Sequence, residues 1–459
     1  MKLKHAAILD PDFEPLSVVC REMREATRDK GQDVVIGIER NDGYVSTYKT
    51  RVHPDNAGYD EVNYRFVERI VKSLLWVYGG YKIIVAGSPV VGEKIQAAYA
   101  PGSVRTFDTD LMGGVYEKPF EVELKPLTDA PADAGGSVST GRHLAGCRIG
   151  FDAGGSDRKV SAVIDGEAVF SEEVVWFPKK NADPAYHYDG IVSAFKTAAS
   201  RMPHVDAIGV SSAGIYINNR VLAASLFIAV PKDDFDKNVK DIYIRAAAEI
   251  GPDIPLEVAN DGDVTALAGA MELSDGRVLG VAMGTSEAGG YVDINGNITG
   301  WLNELAFVPV DYNPGAAVDD WSGDIGTGVN YFSQEAVIKL APAAGIELDK
   351  DLSPAEKLKA VQKLMENGDT RAAKIYETIG VYFGYSVAYY AEFYDIKHVL
   401  IMGRVTSGEG GAVVIKKANA VLQDEFPAIF NKITLHLPDE NARRVGQSVA
   451  AASLPEVKK

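Results

Sequence analysis

Cysteine is nearly absent from this chain: Cys20 and Cys147 are the only two among 459 residues. They sit in unrelated contexts, which excludes a disulfide framework and gives no metal-ligand spacing, so two reduced thiols are expected. Long apolar runs are missing too. The most apolar window, Ser73 to Gly92, is interrupted by Gly79-Gly80, Lys82 and Pro89, and a bilayer span needs about 20 apolar residues in succession. The opening M-K-L-K-H-A-A-I-L-D-P-D lacks the apolar core of a secretory signal. A cytoplasmic protein with no membrane partner is therefore expected. Positive charge is the third shortage. Lys and Arg total 47 against 64 Asp and Glu, a net charge of −17, which argues against a broad nucleic-acid-binding face. The rest is ordinary for a globular protein, 46% hydrophobic and 24% charged, with chain enough for roughly two to four domain-sized units.

The most informative stretch runs from Gly150 to Gly166, G-F-D-A-G-G-S-D-R-K-V-S-A-V-I-D-G. Apolar residues alternate on both sides of a glycine turn, the signature of a β-hairpin. Glycines in such a turn let backbone N–H groups approach an anion, and Ser156 and Lys159 add a hydroxyl and a positive charge. Asp152, at the end of the first strand, is placed to hold a magnesium ion through water. A glycine hairpin without a ligand explains the same pattern about as well.

Three more segments follow in order. Ala207 to Gly214 is a buried strand running into a small-residue turn. Glu257 to Ala268, E-V-A-N-D-G-D-V-T-A-L-A, ends a strand at Asn260-Asp261 and opens a helix. Val281 to Gly290, V-A-M-G-T-S-E-A-G-G, is a second strand–glycine turn–strand element. Asp261 at a strand-to-helix junction is either a carboxylate for acid–base work or a helix N-cap; Asp263 suits the cap better.

Residues 126–145, rich in Pro, Gly, Ala, Ser and Asp, read as a linker. Before it, in 1–125, a hairpin about Asn41-Asp42-Gly43 is followed by a helix (Val62, Phe66, Val67, Ile70, Leu74) and a strand from Tyr81 to Ala86. After Asp152 the same order recurs, so the first region is either a degenerate repeat of half the main fold or an ordinary hairpin–helix–strand unit. Towards the C-terminus, 354–364 and 412–422 read as helices and His398–Met402 as a buried strand. Residues 373–394 form an aromatic helix whose tyrosines belong to a core or a subunit interface.

Taken in order, the four segments between about Cys147 and Leu454 resemble the ROK family of sugar kinases and sugar-responsive repressors, within the hexokinase–actin superfamily. That family carries D-I-G-G-T-x-I-K, x-N-D-A-N-x-A-A-L-A and G-T-G-I-G-G-G. The resemblance implies an α/β, two-lobed, actin-like (ribonuclease H-like) fold with an extra N-terminal α/β domain: one lobe from 146–265 plus 441–454, the other from 266–440. It implies ATP and Mg2+ as cofactors, a small sugar or polyol as substrate, and a homodimer. Asp261 would be the catalytic base. Asp152, Gly154, Gly155, Ser156, Lys159, Gly284, Thr285, Ser286, Gly403 and Arg404 would bind nucleotide and phosphate; Asn260, Glu304 and Ser212 would bind the acceptor. Glu287 stands where the family is apolar, and must turn away from phosphate, hold the metal, or mark altered nucleotide use. Phe307 replaces a histidine, and Val329 replaces a second sugar-binding glutamate. Ser322 to Thr327 replaces the cysteine-rich zinc motif, so no zinc site is expected there. These losses favour an acceptor less polar than glucose, or differently substituted. A sugar-sensing regulator and a non-catalytic relative are the alternatives; 1–145 contain no basic recognition helix to support the first.

Overall fold

The computed structural model describes residues 2–135, 140–437 and 440–457, the side chains of 440–445 excepted. The chain forms two compact units. One contains 137–280, 290–300 and 438–459; the other contains 1–136, 281–289 and 301–437. The boundary expected at 265 falls instead at 280. The helix Asp261–Leu273 packs on the C-terminal helix Glu440–Ala452 and so stays with the first glycine hairpin.

The N-terminal sheet has strands β1 (Gln32–Glu39), β2 (Val45–Val52), β3 (Lys82–Ala86) and β4 (Glu121–Lys125) in the order β2-β1-β3-β4. The β1–β2 hairpin turns at Asn41–Gly43, with Asp42 at φ 62°. The second unit holds β5 (Cys147–Ala153), β6 (Asp157–Ile164), β7 (Glu167–Val175), β8 (Ala207–Ser212), a small hairpin of β9 (Ile215–Ile217) and β10 (Arg220–Ala223), and β11 (Leu256–Asn260). Its main sheet runs β11-β8-β5-β6-β7. Here β8 lies parallel to β5 and β11 parallel to β8, whereas β3 lies antiparallel to β1. Two strands precede the crossover helix in the first region and three in the second, so the next strand emerges in the opposite sense. The two regions share a strand order, β2-β1-β3-β4 against β6-β5-β8-β11, but differ in the direction of the third strand. A last sheet, β13-β12-β14-β15, is built from β12 (Val278–Met283), β13 (Glu287–Val292), β14 (His398–Met402) and β15 (Thr434–His436).

The first region does not stand apart as its own domain. Helix Asp60–Tyr78 ends at Gly79, and its terminal carbonyls, which have no partner within a helix, are taken by another segment. Leu302, Asn303 and Glu304 N–H groups donate to Tyr78, Val77 and Trp76 carbonyls at 3.3, 3.0 and 3.0 Å. One turn back, a buried ion cluster joins the same partners. Arg69, Lys72 and Arg105 all reach Asp324 Oδ2, at 3.0, 3.1 and 2.9 Å. Glu68 pairs with Arg69 and Arg105 at 2.7 and 2.6 Å, and Asp108 with Lys72 at 2.9 Å. Three cations thus meet three carboxylates. Burial opposes the charge on Asp324, yet Arg69 and Lys72 hold its pKa below the ordinary value.

The proposed linker is docked on both sides of 136–139, four residues that lie outside the described ones. Ala134 and Val45 exchange backbone hydrogen bonds, and Gly141 and His143 N–H groups donate to Leu454 and Ser453 carbonyls. The aromatic helix extends over Thr370–Tyr390. Tyr376, Tyr382, Tyr385, Tyr389 and Tyr390 are all buried within their unit. They are core, which removes the sequence-based ground for a homodimer. Among the described residues no helix is long and apolar enough to cross a membrane.

Breaking the ion cluster should be costly. Asp324→Asn leaves three buried cations facing two carboxylates, and loss of one partner from a buried network typically costs about 3–5 kcal/mol. Urea unfolding followed by tryptophan fluorescence should show a loss of that order.

Candidate active site

Three parallel strands, β5, β8 and β11, end together. In register, Asp152 faces Ser211, Ala153 faces Ser212, and Ser212 faces Asn260. In open α/β sheets ligands bind beyond such carboxyl ends. The helix Asp261–Leu273 starts at the same edge, with its first N–H groups directed there.

Asp152 lies on β5 opposite Lys159 of β6. Its Oδ1 accepts from Ser211 Oγ at 3.0 Å and from Gln447 Nε2 at 3.4 Å. Gln447 gets there because its helix presses on two glycines. A Cβ on Gly150 would lie 1.9 Å from the Ser448 carbonyl oxygen, and one on Gly209 1.6 Å from that of Ala451. Burial, and then the negative charge of Asp261, push the Asp152 carboxyl up to about 6. The pKa of Asp261 is also raised, by burial; the Gly262 N–H, its own N–H and Lys179 oppose the shift. The Asp152 carboxyl, which feels the charge of Asp261 and has one oxygen oriented by Ser211, is suited to a hydrated magnesium ion.

The glycine turn is held from below by Trp176. Its indole N–H donates to the Gly154 carbonyl at 2.7 Å, and its backbone N–H to the Ser156 carbonyl at 3.1 Å. Ser156 Oγ donates to Asp157 Oδ2 at 3.1 Å, and Lys159 lies 3.4 Å from Asp157. A Cβ added to Gly155 would lie 3.8 Å from Lys179 Nζ, so a second lysine flanks the turn and contributes to the field at Asp261. Lys179, Trp176 and Gln447 were all missed from sequence. The W-F-P-K-K run after β7 was the one local hint of the first two.

Two acceptor assignments change. Ser212 is fully buried, its Oγ 2.7 Å from Tyr216 Oη and 3.0 Å from Tyr243 Oη. It ties β8 to a tyrosine cluster and is not open to a substrate. Asn260 is the helix N-cap: Oδ1 accepts from Gly262 N at 2.7 Å, while Nδ2 donates to the Gly214 carbonyl at 2.8 Å. Asp263, expected as the cap, instead accepts from Tyr291 N at 3.1 Å. The cap falls to Asn260 because it ends β11, leaving Asp261 as the first helical residue.

In the other unit, Gly284 N donates to the Ser286 carbonyl at 2.9 Å, closing a tight turn around Thr285, and Gln334 N donates to the Gly284 carbonyl at 2.9 Å. Gly403 has φ 99°, and a Cβ there would lie 2.3 Å from the Met283 carbonyl oxygen, so only glycine brings β14 so close to the end of β12. Arg404 is exposed, and its carbonyl accepts from Gln362 Nε2 at 2.7 Å. Glu304 is half-buried on the segment fastened to helix Asp60–Tyr78. Phe307 packs on Trp76, ring centroids 4.2 Å apart, with Phe107 at 5.5 Å. Glu287 turns away from the turn into the core: Tyr390 Oη donates to its Oε1 at 3.3 Å, and Oε2 is buried without a hydrogen-bond partner. Burial pushes its carboxyl up to about 8, so it is neutral near pH 7 and sets no negative charge against a phosphate.

No family model matches this chain, and no curated protein matches it. Solved structures do. A ROK hexokinase from Thermus thermophilus aligns with TM-score 0.51 at 18% identity, covering 66% of this chain and 97% of that one. A ROK family transcriptional regulator, a homologue of the E. coli MLC protein, aligns with TM-score 0.54 at 15% identity, covering 68% and 79%.

The neutral Glu287 carries a pH signature. Its folded pKa lies above the ordinary 4.5, so its contribution is complete below that value and is lost as pH rises towards 8, at up to about 1.4 kcal/mol per pH unit. Glu287→Gln cannot ionise, and its unfolding free energy relative to wild type should therefore improve steadily between about pH 5 and pH 8. With two structures of the ROK type covering two thirds of this chain, its fold is the actin-like α/β fold of ROK hexokinases and regulators.

Proposed function

We propose that the chain is a ROK-type kinase that transfers the γ-phosphoryl group of ATP to a hydroxyl of a small carbohydrate or polyol. The observation that carries this reading is Asp261: a half-buried carboxylate at a helix N-terminus, its pKa raised by burial and its negative charge acting on Asp152. A base works best when its pKa approaches the working pH, and burial moves Asp261 in that direction. In the reaction Asp261 takes the proton of the acceptor hydroxyl as its oxygen bonds to the γ-phosphorus and the bond to the β-phosphate oxygen breaks, releasing ADP. Asp152, oriented by Ser211 and Gln447, would hold magnesium through water; that ion supplies charge neutralisation at the phosphates. Lys159, Lys179 and the backbone of the Gly154–Ser156 turn offer positive charge and donors to the phosphates, and the resemblance assigns the Gly284–Ser286 turn to the same nucleotide.

The acceptor is less polar than glucose, or differently substituted. Phe307 lies in an aromatic cluster with Trp76 and Phe107 where the resemblance expects a histidine, and Ser212 is buried, accepting from Tyr216 and Tyr243 of its own unit. Glu304 remains as the acidic hydroxyl ligand.

Asp261→Asn keeps shape but cannot take the proton, and should lower kcat by about 10²-fold or more while ATP still protects the protein in a thermal-shift assay. Asp152→Asn should weaken magnesium-dependent nucleotide binding and turnover together. Nucleotide binding by wild type should weaken below about pH 6, where Asp152 takes up a proton. A screen of sugars, polyols, amino sugars and inositols read by ADP release decides the class. A sugar that binds with no ADP release would favour the regulator or non-catalytic reading, and full turnover by Asp261→Asn would remove the base assignment.

A further inference from the structure

At the opposite end of β5 from Asp152, three side chains of different chemistry converge. Cys147 is the first residue of β5; His204 and Asp206 lie in the turn that leads into β8. One ligand atom from each, a thiol sulphur, an imidazole nitrogen and a carboxylate oxygen, all lie within 4.8 Å of one another. Asp206 Oδ2 accepts from Cys147 N at 2.7 Å and lies 3.2 Å from His204 Nε2. These contacts fix the carboxylate over the thiol and use about two of its four lone-pair sites. Cys147 is buried, while the His204 side chain is 62% exposed, so a solvent ion has a route in.

We propose that Cys147, His204 and Asp206 form a site for a thiolate-accepting divalent ion, zinc above all, with a water molecule in the fourth position. Sulphur, imidazole nitrogen and carboxylate oxygen are the zinc donors of proteins, and tetrahedral ligands at about 2.0–2.3 Å from the metal stand roughly 3.5 Å apart. Closing from the present spacing to that one needs about an ångström of movement, which the exposed His204 side chain can supply. The electrostatics favour a cation. A buried thiol beside a carboxylate resists ionisation, and both burial and Asp206 raise the Cys147 pKa, although the backbone N–H of His204 hydrogen-bonds the sulphur and opposes the rise. A divalent ion between them reverses the repulsion. The sulphur–metal bond forms as the thiol proton leaves to solvent, so apparent affinity should rise by about tenfold per pH unit below the thiol pKa. Cys147 and Asp152 are five residues apart on one strand, about 16 Å, so this ion would clamp β5 to the turn before β8 and would not touch the phosphates. The inference does not depend on the kinase reading.

Cobalt(II) titration of the full-length protein tests it, because thiolate-bound cobalt has an intense charge-transfer absorption. Wild type and Cys20→Ala should both show the band with one ion per chain, and Cys147→Ala should lack it. His204→Ala, a change at an exposed side chain, should weaken binding by more than about tenfold. Equimolar zinc should raise the thermal midpoint of wild type and leave that of His204→Ala unchanged. No band in wild type, a band retained in Cys147→Ala, or unchanged affinity in His204→Ala would each overturn the site.

Discussion

Asp324 is the point on which the unit containing residues 301–437 depends. A carboxylate buried this deeply must be matched, and its partners come from some 220–255 residues earlier in the chain: Arg69, Lys72 and Arg105. Such clusters add little net stability over a well-packed apolar alternative, because the desolvation of each ion offsets the attraction. What they fix is geometry. In this arrangement all six charges are paired as helix Asp60–Tyr78 docks on the 322–327 segment. The last carbonyls of the helix fall opposite Leu302, Asn303 and Glu304, and Trp76 meets Phe307. Helix Asp60–Tyr78 thus holds the segment that carries Glu304 at both ends of this contact.

This explains how the chain does without the thiolate ligands that the resemblance would place at 322–327. A metal and a buried ion cluster can hold a loop of irregular backbone by the same means, concentrating charge where the backbone has no ladder to follow. Here the loop between Val318 and Ile325 is closed by Asp319, which accepts from Trp321 and Ser322 N–H groups, and it is anchored from beneath through Asp324. The aromatic contact of Phe307 with Trp76 then fills, with apolar surface, the place where a polar ligand was expected.

Local signals in the sequence were reliable where the structure is local. The β5–β6 hairpin, the strand-to-helix junction at Asn260-Asp261 and the helix expected over 354–364, which starts at Pro354, are each set by neighbours within a few residues. At the junction the observed cap lies three positions before the expected one, since Asn260 and Asp263 are both good caps and only the length of β11 decides between them. The reading failed more widely where partners are distant. Gln447 reaches Asp152 from nearly 300 residues away, and nothing in its own segment marks it. Ser212 is a substrate ligand only by the resemblance; the two tyrosines that hydrogen-bond it lie on later elements. The strand order of the N-terminal region could be guessed, but its direction turned on whether two or three strands precede a helix.

Glu287 shows how an apparent defect is absorbed. Beside a phosphate-binding turn a carboxylate would be repulsive, yet strand alternation decides its side: as the first residue of β13 it points into the core, beneath Tyr390. Burial there raises its pKa until the neutral form prevails near neutral pH, so the charge is removed by protonation and the turn keeps its backbone donors. The same physics acts on Asp152 and Asp261 with a different outcome. Both lie at strand ends with backbone or side-chain donors within reach, so their pKa values rise without the carboxylates being sealed away, and they stay available for proton and metal chemistry. Burial raises all three acids, and what separates Asp152 and Asp261 from Glu287 is whether the adjoining strand ends beside the carboxylate or continues into the core.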